Sequence, residues 1–596
     1  MQFTTRPTVR GYGGAVSAGH YLAAQAGAQL LAEGGNAADA ACTMGFALQV
    51  LEPHMNGFAG EAPILYHDAA SERTHAISGQ GAAPAAATIE HFRSLGLDRI
   101  PGDGLTAAAI PGALDAWRLL LERFGTRTLA EVVAPARALA EGGFPMYPSL
   151  RRLLEIAGDR IAAEWPTTAD VWLPVKAVGE RVRNPALASL LASMAEAERA
   201  SGGGREAGIR AARDAFYRGE PAEWIEAFLQ APVRDASGEA HAGLLTAADL
   251  AGYEGAVETP VAAGYRGVTV WKCPPWSQGP VMLQQLRLLE GFDLAAMGHN
   301  SAEALHTWIE CAKLAFADRE ASYGDPAHVD VPLDELLSDG YSERRRALVD
   351  ADRASLELRP GLGRLPEGWP LLAEDEDAQA LSPAGLPRAE PEALLGASGR
   401  GDTTHCDAVD RWGNLASCTP SGGWLQSSPT VPQLGFPVGT RGQMFVLDPA
   451  HPNALAPGKR PRTTLTPSLA QLPDGRRIAF GTPGGDQQDQ WSLHFLLNLV
   501  DFGFEDLQAA IDAPTVHSEH WPESFYPRLA NPGLVDAETR IEEGVLAELE
   551  RRGHRVRRSG AWRHGRVMAA SYRPDDGLCE AAASPRSVVA YAIALP

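Results

Sequence analysis

The sequence predicts a mixed helix-and-strand globule with one composite core, and three observations carry that expectation. Apolar residues recur at helical spacing over 282–289 and 302–317, as in helices packed into a core. Residues 404–409 alternate like a half-buried strand; Asp410-Arg411-Trp412-Gly413-Asn414 carries turn chemistry, and 415–419 reads as the returning strand. The balance of 45% hydrophobic to 21% charged residues is that of an ordinary soluble globular protein.

Taken in order, residues 15–50 are rich in small residues, with helices on both sides of Glu33-Gly34-Gly35-Asn36. The glycine-punctuated loop 54–60 lacks a Gly-Lys-Ser/Thr ending, so it reads as structural rather than phosphate-binding, and a strand follows at 62–67. A helical pair is expected over 110–144, another helix over 187–199, and a flexible connection at 200–205. Thr246 and Asp249 have the spacing of an N-terminal capping box. Strands are expected at 257–265 and 268–273. Residues 358–402 crowd prolines and glycines around the acidic run Glu374-Asp375-Glu376-Asp377, which reads as a solvated linker. Beyond the hairpin at 404–419 come a strand at 477–482, a helix at 491–500, a helix at 541–552, and strands at 567–572 and 588–594.

With 596 residues, length alone suggests several units, but the pattern favours a single globule. Lys and Arg number 52 against 74 acidic residues, a net charge of -22, which argues against nucleic acid or an anionic membrane as the main partner. The six cysteines show no paired spacing and read as small buried hydrophobes in a reducing compartment. The first residues lack a signal-peptide apolar core, and no apolar run is long enough to span a bilayer, so a cytoplasmic protein is expected.

The chemistry is expected where loose chain becomes sheet. Thr403 stands at that junction. A threonine at a chain start can use its own α-amine as base, because that amine titrates at about 7.7–8.0. Inside an intact chain the same nitrogen is an amide without basicity, so cutting after Asp402 creates nucleophile and base together. Gly484 and Gly485 follow a strand and open a helix, so their N–H groups are candidates to hold an oxyanion.

These motifs, with others in the same order, resemble the gamma-glutamyltranspeptidases, N-terminal-nucleophile hydrolases made as one proenzyme. The likeness runs through Glu33-Gly34-Gly35-Asn36-Ala37-Ala38-Asp39-Ala40-Ala41, Ala83-Pro84, Ile110-Pro111-Gly112 and Tyr265-Arg266-Gly267. It continues through Ala317-Asp318-Arg319, Gly324-Asp325-Pro326, Thr403-Thr404-His405, Lys459-Arg460-Pro461 and Pro483-Gly484-Gly485. The resemblance implies a four-layer αββα sandwich of two stacked antiparallel sheets. It implies a large subunit of residues 1–402 and a small one of 403–596, with Thr403 first in the small one. Ser421 falls where the family has a hydroxyl that orients the nucleophile, and Thr463 and Thr464 match a Ser-Ser pair at the substrate's carboxylate end. No cofactor and no metal are implied.

The departures point at the substrate, a small-molecule amide. Gln80 stands in place of the family's substrate-carboxylate arginine, Gly423 in place of the residue that holds the substrate α-amine, and Met444, before Phe445, in place of an aspartate. Burying a carboxylate or ammonium without a partner costs several kcal/mol, and a bidentate arginine is the strongest carboxylate contact available. Glutathione is therefore not the expected substrate, and Arg441 and Arg462 are candidates to read a carboxylate placed differently, against the plainer reading of solvated surface arginines. The rival expectations are an authentic γ-glutamyl hydrolase or transpeptidase and a relative that keeps the fold without chemistry. Lesser motifs carry less: residues 517–520 (His-Ser-Glu-His) read as a polar loop, Arg400-Gly401-Asp402 as a coincidence, and Cys406 as a core residue.

Overall fold

Small side chains decide how the strands stack. The computed structural model describes residues 3–366, 368–372 and 402–596. In chain order the strands of its two main sheets are β1 (Val9–Gly11), β2 (Gly14–Ala18), β3 (Ile64–Asp68), β4 (Arg73–Ser78), β5 (Ala256–Glu258), β6 (Val261–Tyr265) and β7 (Val268–Lys272). They continue with β8 (Cys406–Asp410), β9 (Leu415–Cys418), β10 (Ser468–Gln471), β11 (Arg477–Gly481), β12 (Met568–Arg573), β13 (Leu578–Ala583) and β14 (Tyr591–Leu595). One sheet has the order β1-β13-β12-β11-β10-β7-β6, the other β14-β2-β8-β9-β3-β4-β5, and every neighbouring pair is antiparallel. Between the sheets lie Ala15, Ala479, Ala570 and Ala581 with Leu65, Val409, Leu415 and Leu469, a thin apolar layer that lets the two backbones come close.

Helices cover both outer faces. On the β8 sheet lie α1 (Tyr21–Ala32), α2 (Ala37–Leu51), α3 (Ala113–Phe124) and α4 (Leu129–Gly142), in one core with Cys406 and Ala408. On the β11 sheet lie α5 (Pro280–Leu289), α6 (Ala302–Ser322) and α7 (Gln488–Val500), in a second core with Val270, Ile478 and Phe480. The order helix, sheet, sheet, helix is the αββα sandwich. Asn36 caps α2 in a reciprocal box with Asp39, which fixes where that buried helix begins. Thr246 and Asp249 form the capping box that their spacing predicts.

Three local expectations need correction. The strand expected over 257–265 is two strands in different sheets, because Pro260 has no N–H for a ladder and the chain changes sheet there. β2, a central strand, was not expected at all, and neither were the helices Pro148–Glu164, Arg205–Tyr217 and Glu220–Leu229. The run at 517–520, expected as a loop, starts inside the strand Val516–Ser518. There His517, Glu519 and Asp536 come close enough to share an ion. Arg557, however, lies 2.5 Å from both carboxylates, so each already meets a cation of this chain. All six cysteines are buried and unpaired. The acidic run 374–377 and most of the expected linker lie outside the described residues; within it, Leu371–Leu372 pairs in parallel with Leu529–Ala530. Among the described residues no helix is long and apolar enough to cross a membrane.

Candidate active site

The site forms where four extended segments end together in the β8 sheet. Just before β8, Thr403 forms an antiparallel bridge with Ser421, and Ser421 forms one with Glu61. The register of β3 with β4, Ile64 opposite Ile77, carries the line on to Gln80 opposite Glu61, with Ala62 N donating to Gly79 O at 3.0 Å. Directly opposed residues share a face, so Thr403, Ser421, Glu61 and Gln80 stand side by side across one end of the sheet.

Their polar atoms interlock. Thr403 Oγ1 donates to Ser421 Oγ at 3.2 Å, and Ser421 Oγ donates to the Asp402 carbonyl oxygen at 2.9 Å. Trp424 Nε1 also donates to that carbonyl, at 2.6 Å. Arg441 Nη2 donates to Ser421 Oγ at 2.8 Å while its Nε meets Glu61. Burial pushes the Glu61 carboxyl up and the Arg441 guanidinium draws it back. Met444 packs with Trp424 and Phe525, and its sulfur accepts from Arg441 Nη1 at 3.7 Å.

Behind the strand, strand alternation points Thr404 toward the helices. A Cβ on Gly19 would lie 2.0 Å from Thr404 Oγ1 and 2.7 Å from Glu52 Oε2, so the absence of a side chain at residue 19 leaves room for both buried groups. Burial pushes the Glu52 carboxyl up to about 7. Asp402 Oδ1 accepts from Thr403 N at 2.8 Å, and Oδ2 pairs with Arg566 at 2.8 Å. Burial raises the Asp402 carboxyl too, against the pull of Arg566. Thr403 itself is 1% exposed.

The glycine turn follows β11. Gly484 and Gly485 have φ of 128° and 57°, and a Cβ on Gly484 would lie 2.2 Å from the Trp491 ring, so only glycine fits there. The carbonyls of this turn accept from Gln487 and Gln488, and among the described residues neither glycine N–H donates a hydrogen bond. Phe525 lies against Gly485, and its ring is 6.0 Å from that of Trp424. The turn thus joins the Thr403 cluster through two aromatic rings.

The remaining candidates divide between the two walls. Gln80 is fully buried, and neither its Oε1 nor its Nε2 has a partner. Gly423, at φ 61°, packs on the backbone of Gly57 and Gly60. Thr463 is held by backbone bonds to Trp276 and Gln278, while the buried Thr464 hydroxyl has no partner. Arg441 and Arg462 are not surface arginines: both are about 1% exposed, and Arg462 pairs with Glu320 at 2.8 Å. Neither guanidinium is without a carboxylate. Sequence reasoning missed Glu61, Glu52, Trp424 and Arg566, since each gains its place only through pairing between distant segments.

A sandwich of two antiparallel sheets between helix layers is the architecture of the N-terminal-nucleophile hydrolases. The chain belongs to the gamma-glutamyltranspeptidase family, whose model matches residues 23–594. It is 33% identical to the Acylase ACY 1 proenzyme of Pseudomonas sp. (strain SE83), over 96% of this chain and 91% of the relative. Among solved structures it is similar to LmbA2991HD, at TM-score 0.92 and 47% identity with both chains wholly covered. It is also similar to the cephalosporin acylase from Bacillus halodurans, at TM-score 0.80 and 30% identity, covering 100% of this chain and 98% of that one.

Proposed function

We propose that this family member is a self-processing amide hydrolase and acyltransferase with Thr403 as its nucleophile. The observation that carries the reading is the hydrogen bond of Thr403 Oγ1 to Ser421 at 3.2 Å, immediately beside the Asp402 carbonyl. In the intact chain the Thr403 hydroxyl attacks that carbonyl, and the resulting ester is hydrolysed, leaving pieces 1–402 and 403–596. The freed α-amine then serves as base. Thr403 attacks a substrate amide, Gly484 and Gly485 hold the oxyanion, and water or an amine resolves the acyl-enzyme. Ser421, fixed by Arg441, orients the nucleophile.

The substrate in this reading is an acyl amide without the paired ammonium and carboxylate of a γ-glutamyl group. Two neutral groups without partners, the Gln80 amide and the Thr464 hydroxyl, support it. So do Arg441 and Arg462, each of which already meets a carboxylate of this chain. Relatives named as acylases support an acyl-amide substrate, beside others named as glutathione hydrolases.

Two measurements test the proposal. On a denaturing gel the wild-type chain splits after residue 402, and Thr403→Ala stays whole; an uncut wild-type chain overturns self-processing. The cut enzyme is expected to release anilide from a glutaryl donor at least about tenfold faster than from a γ-glutamyl donor, a gap of about 1.4 kcal/mol. Faster γ-glutamyl turnover overturns the substrate assignment.

A further inference from the structure

We propose, resting on the reading of Thr403 as nucleophile, that Trp424 is a catalytic residue of chain cleavage. Its indole N–H and the Ser421 hydroxyl form a cradle for the charge that develops on the Asp402 carbonyl oxygen. That cradle is distinct from the glycine turn that serves amide substrates.

The geometry is already set for this step. The carbonyl oxygen accepts from Trp424 Nε1 at 2.6 Å and from Ser421 Oγ at 2.9 Å. A donor aimed at a developing oxyanion is effective when it need not reorganise, and Trp424 is held on all sides. It is fully buried, with the Arg441 guanidinium 4.9 Å from its ring centre and the Phe525 ring 6.0 Å away. Ser421 is equally constrained. Its oxygen accepts from Thr403 Oγ1 and from Arg441 Nη2, which uses both lone pairs, so its own proton is directed to the Asp402 oxygen.

The step balances. The Thr403 oxygen forms a bond to the Asp402 carbonyl carbon and gives its proton to Ser421, while Ser421 passes its own proton to the carbonyl oxygen, to which the Trp424 N–H keeps donating. On collapse the carbonyl re-forms, the C–N bond breaks with its electron pair left on nitrogen, and the proton released from oxygen completes the amine. The product is an Asp402 ester on the Thr403 hydroxyl, which water hydrolyses.

A second bond explains why the indole can lose this partner without harm. Trp424 Nε1 also donates to Met55 O at 3.0 Å. If hydrolysis draws the Asp402 oxygen away from the indole, the Met55 carbonyl still satisfies the buried N–H.

Trp424→Phe keeps a ring beneath Arg441 and removes the N–H. Followed by mass spectrometry, its cleavage after residue 402 is expected to slow about 100-fold, the size of one lost oxyanion donor. Anilide turnover per cleaved molecule is expected to fall by a far smaller factor. A benzothienylalanine placed at position 424 has the indole's shape without its N–H and gives the same split if the phenylalanine variant folds poorly. Cleavage within about threefold of wild type in the benzothienylalanine protein, or equal loss of cleavage and turnover, overturns the proposal. A Thr403→Ala chain that is still cut after 402 overturns instead the nucleophile reading beneath it.

Discussion

Two buried charge clusters flank the hydroxyl pair, and they are wired differently. Beside Ser421, Arg441 meets Glu61 and no other carboxylate among the described residues. Beside Gly485, Arg319 meets both Asp486 and Glu320, and Glu320 also holds Arg462. In the second cluster Arg319 and Glu320 each keep a partner when they lose one. In the first a charge that loses its partner keeps none. A singly paired charge is poor structural insurance, because breaking a buried pair strands the survivor. Its position is better explained by what the free edge of the guanidinium does, which is to orient the serine.

The contrast can be broken most sharply at Arg441. Arg441→Met strands the Glu61 carboxylate, with an expected stability loss of about 3–5 kcal/mol in a denaturant titration. Chain cleavage is expected to slow along with it, as Ser421 loses its anchor. Loss of stability with cleavage intact would deny the arginine its orienting role. Arg462→Met is expected to cost less, about 2 kcal/mol, since Glu320 retains Arg319. Equal costs at the two sites would erase the distinction between them.

The smallest effect concerns Glu52, best measured in an uncut Thr403→Ala chain. Burial holds its carboxyl at about 7, against an ordinary 4.5, with Asp402 and Arg566 as its charged neighbours. A raised carboxyl means that the native state keeps a proton the unfolded state has released. Its contribution is therefore fully present below about pH 4.5 and lost as pH rises through about 7. Glu52→Gln is expected to flatten that slope and, at pH 8, to be more stable than its parent by at most about 3 kcal/mol. Parallel pH profiles for the two chains would refute the assignment.

The elements legible in the sequence were those that local chemistry dictates. The hairpin around Asp410–Asn414, the capping box at Thr246 and Asp249, and the helix bounded by Asn36 all follow from a few adjacent residues. The glycine turn was legible because Gly484 and Gly485 leave few alternatives. β2 was not, since Gly-Ala-Val-Ser-Ala has little of the bulk that marks strands; its place comes from pairing with β8, almost four hundred residues on. Glu61 and Trp424 were hidden for the same reason. Glu61 reads as one acid in a glycine-rich passage, and only the bridge to Ser421 brings it to Arg441. Arg441 and Arg462 were legible only as candidates, because the carboxylates that claim them lie 380 and 142 residues away in the chain.

The interleaving of the two sheets has a mechanical consequence for severing the chain at residue 402. β8 lies between β2 and β9, and β14 is hydrogen-bonded to β2, while in the other sheet β13 joins β1 and β10 joins β7. Strands from before and after the proposed scission point are thus woven through both layers. The two fragments would stay locked like clasped fingers through dilution, and only a denaturant that melts both sheets would let them part.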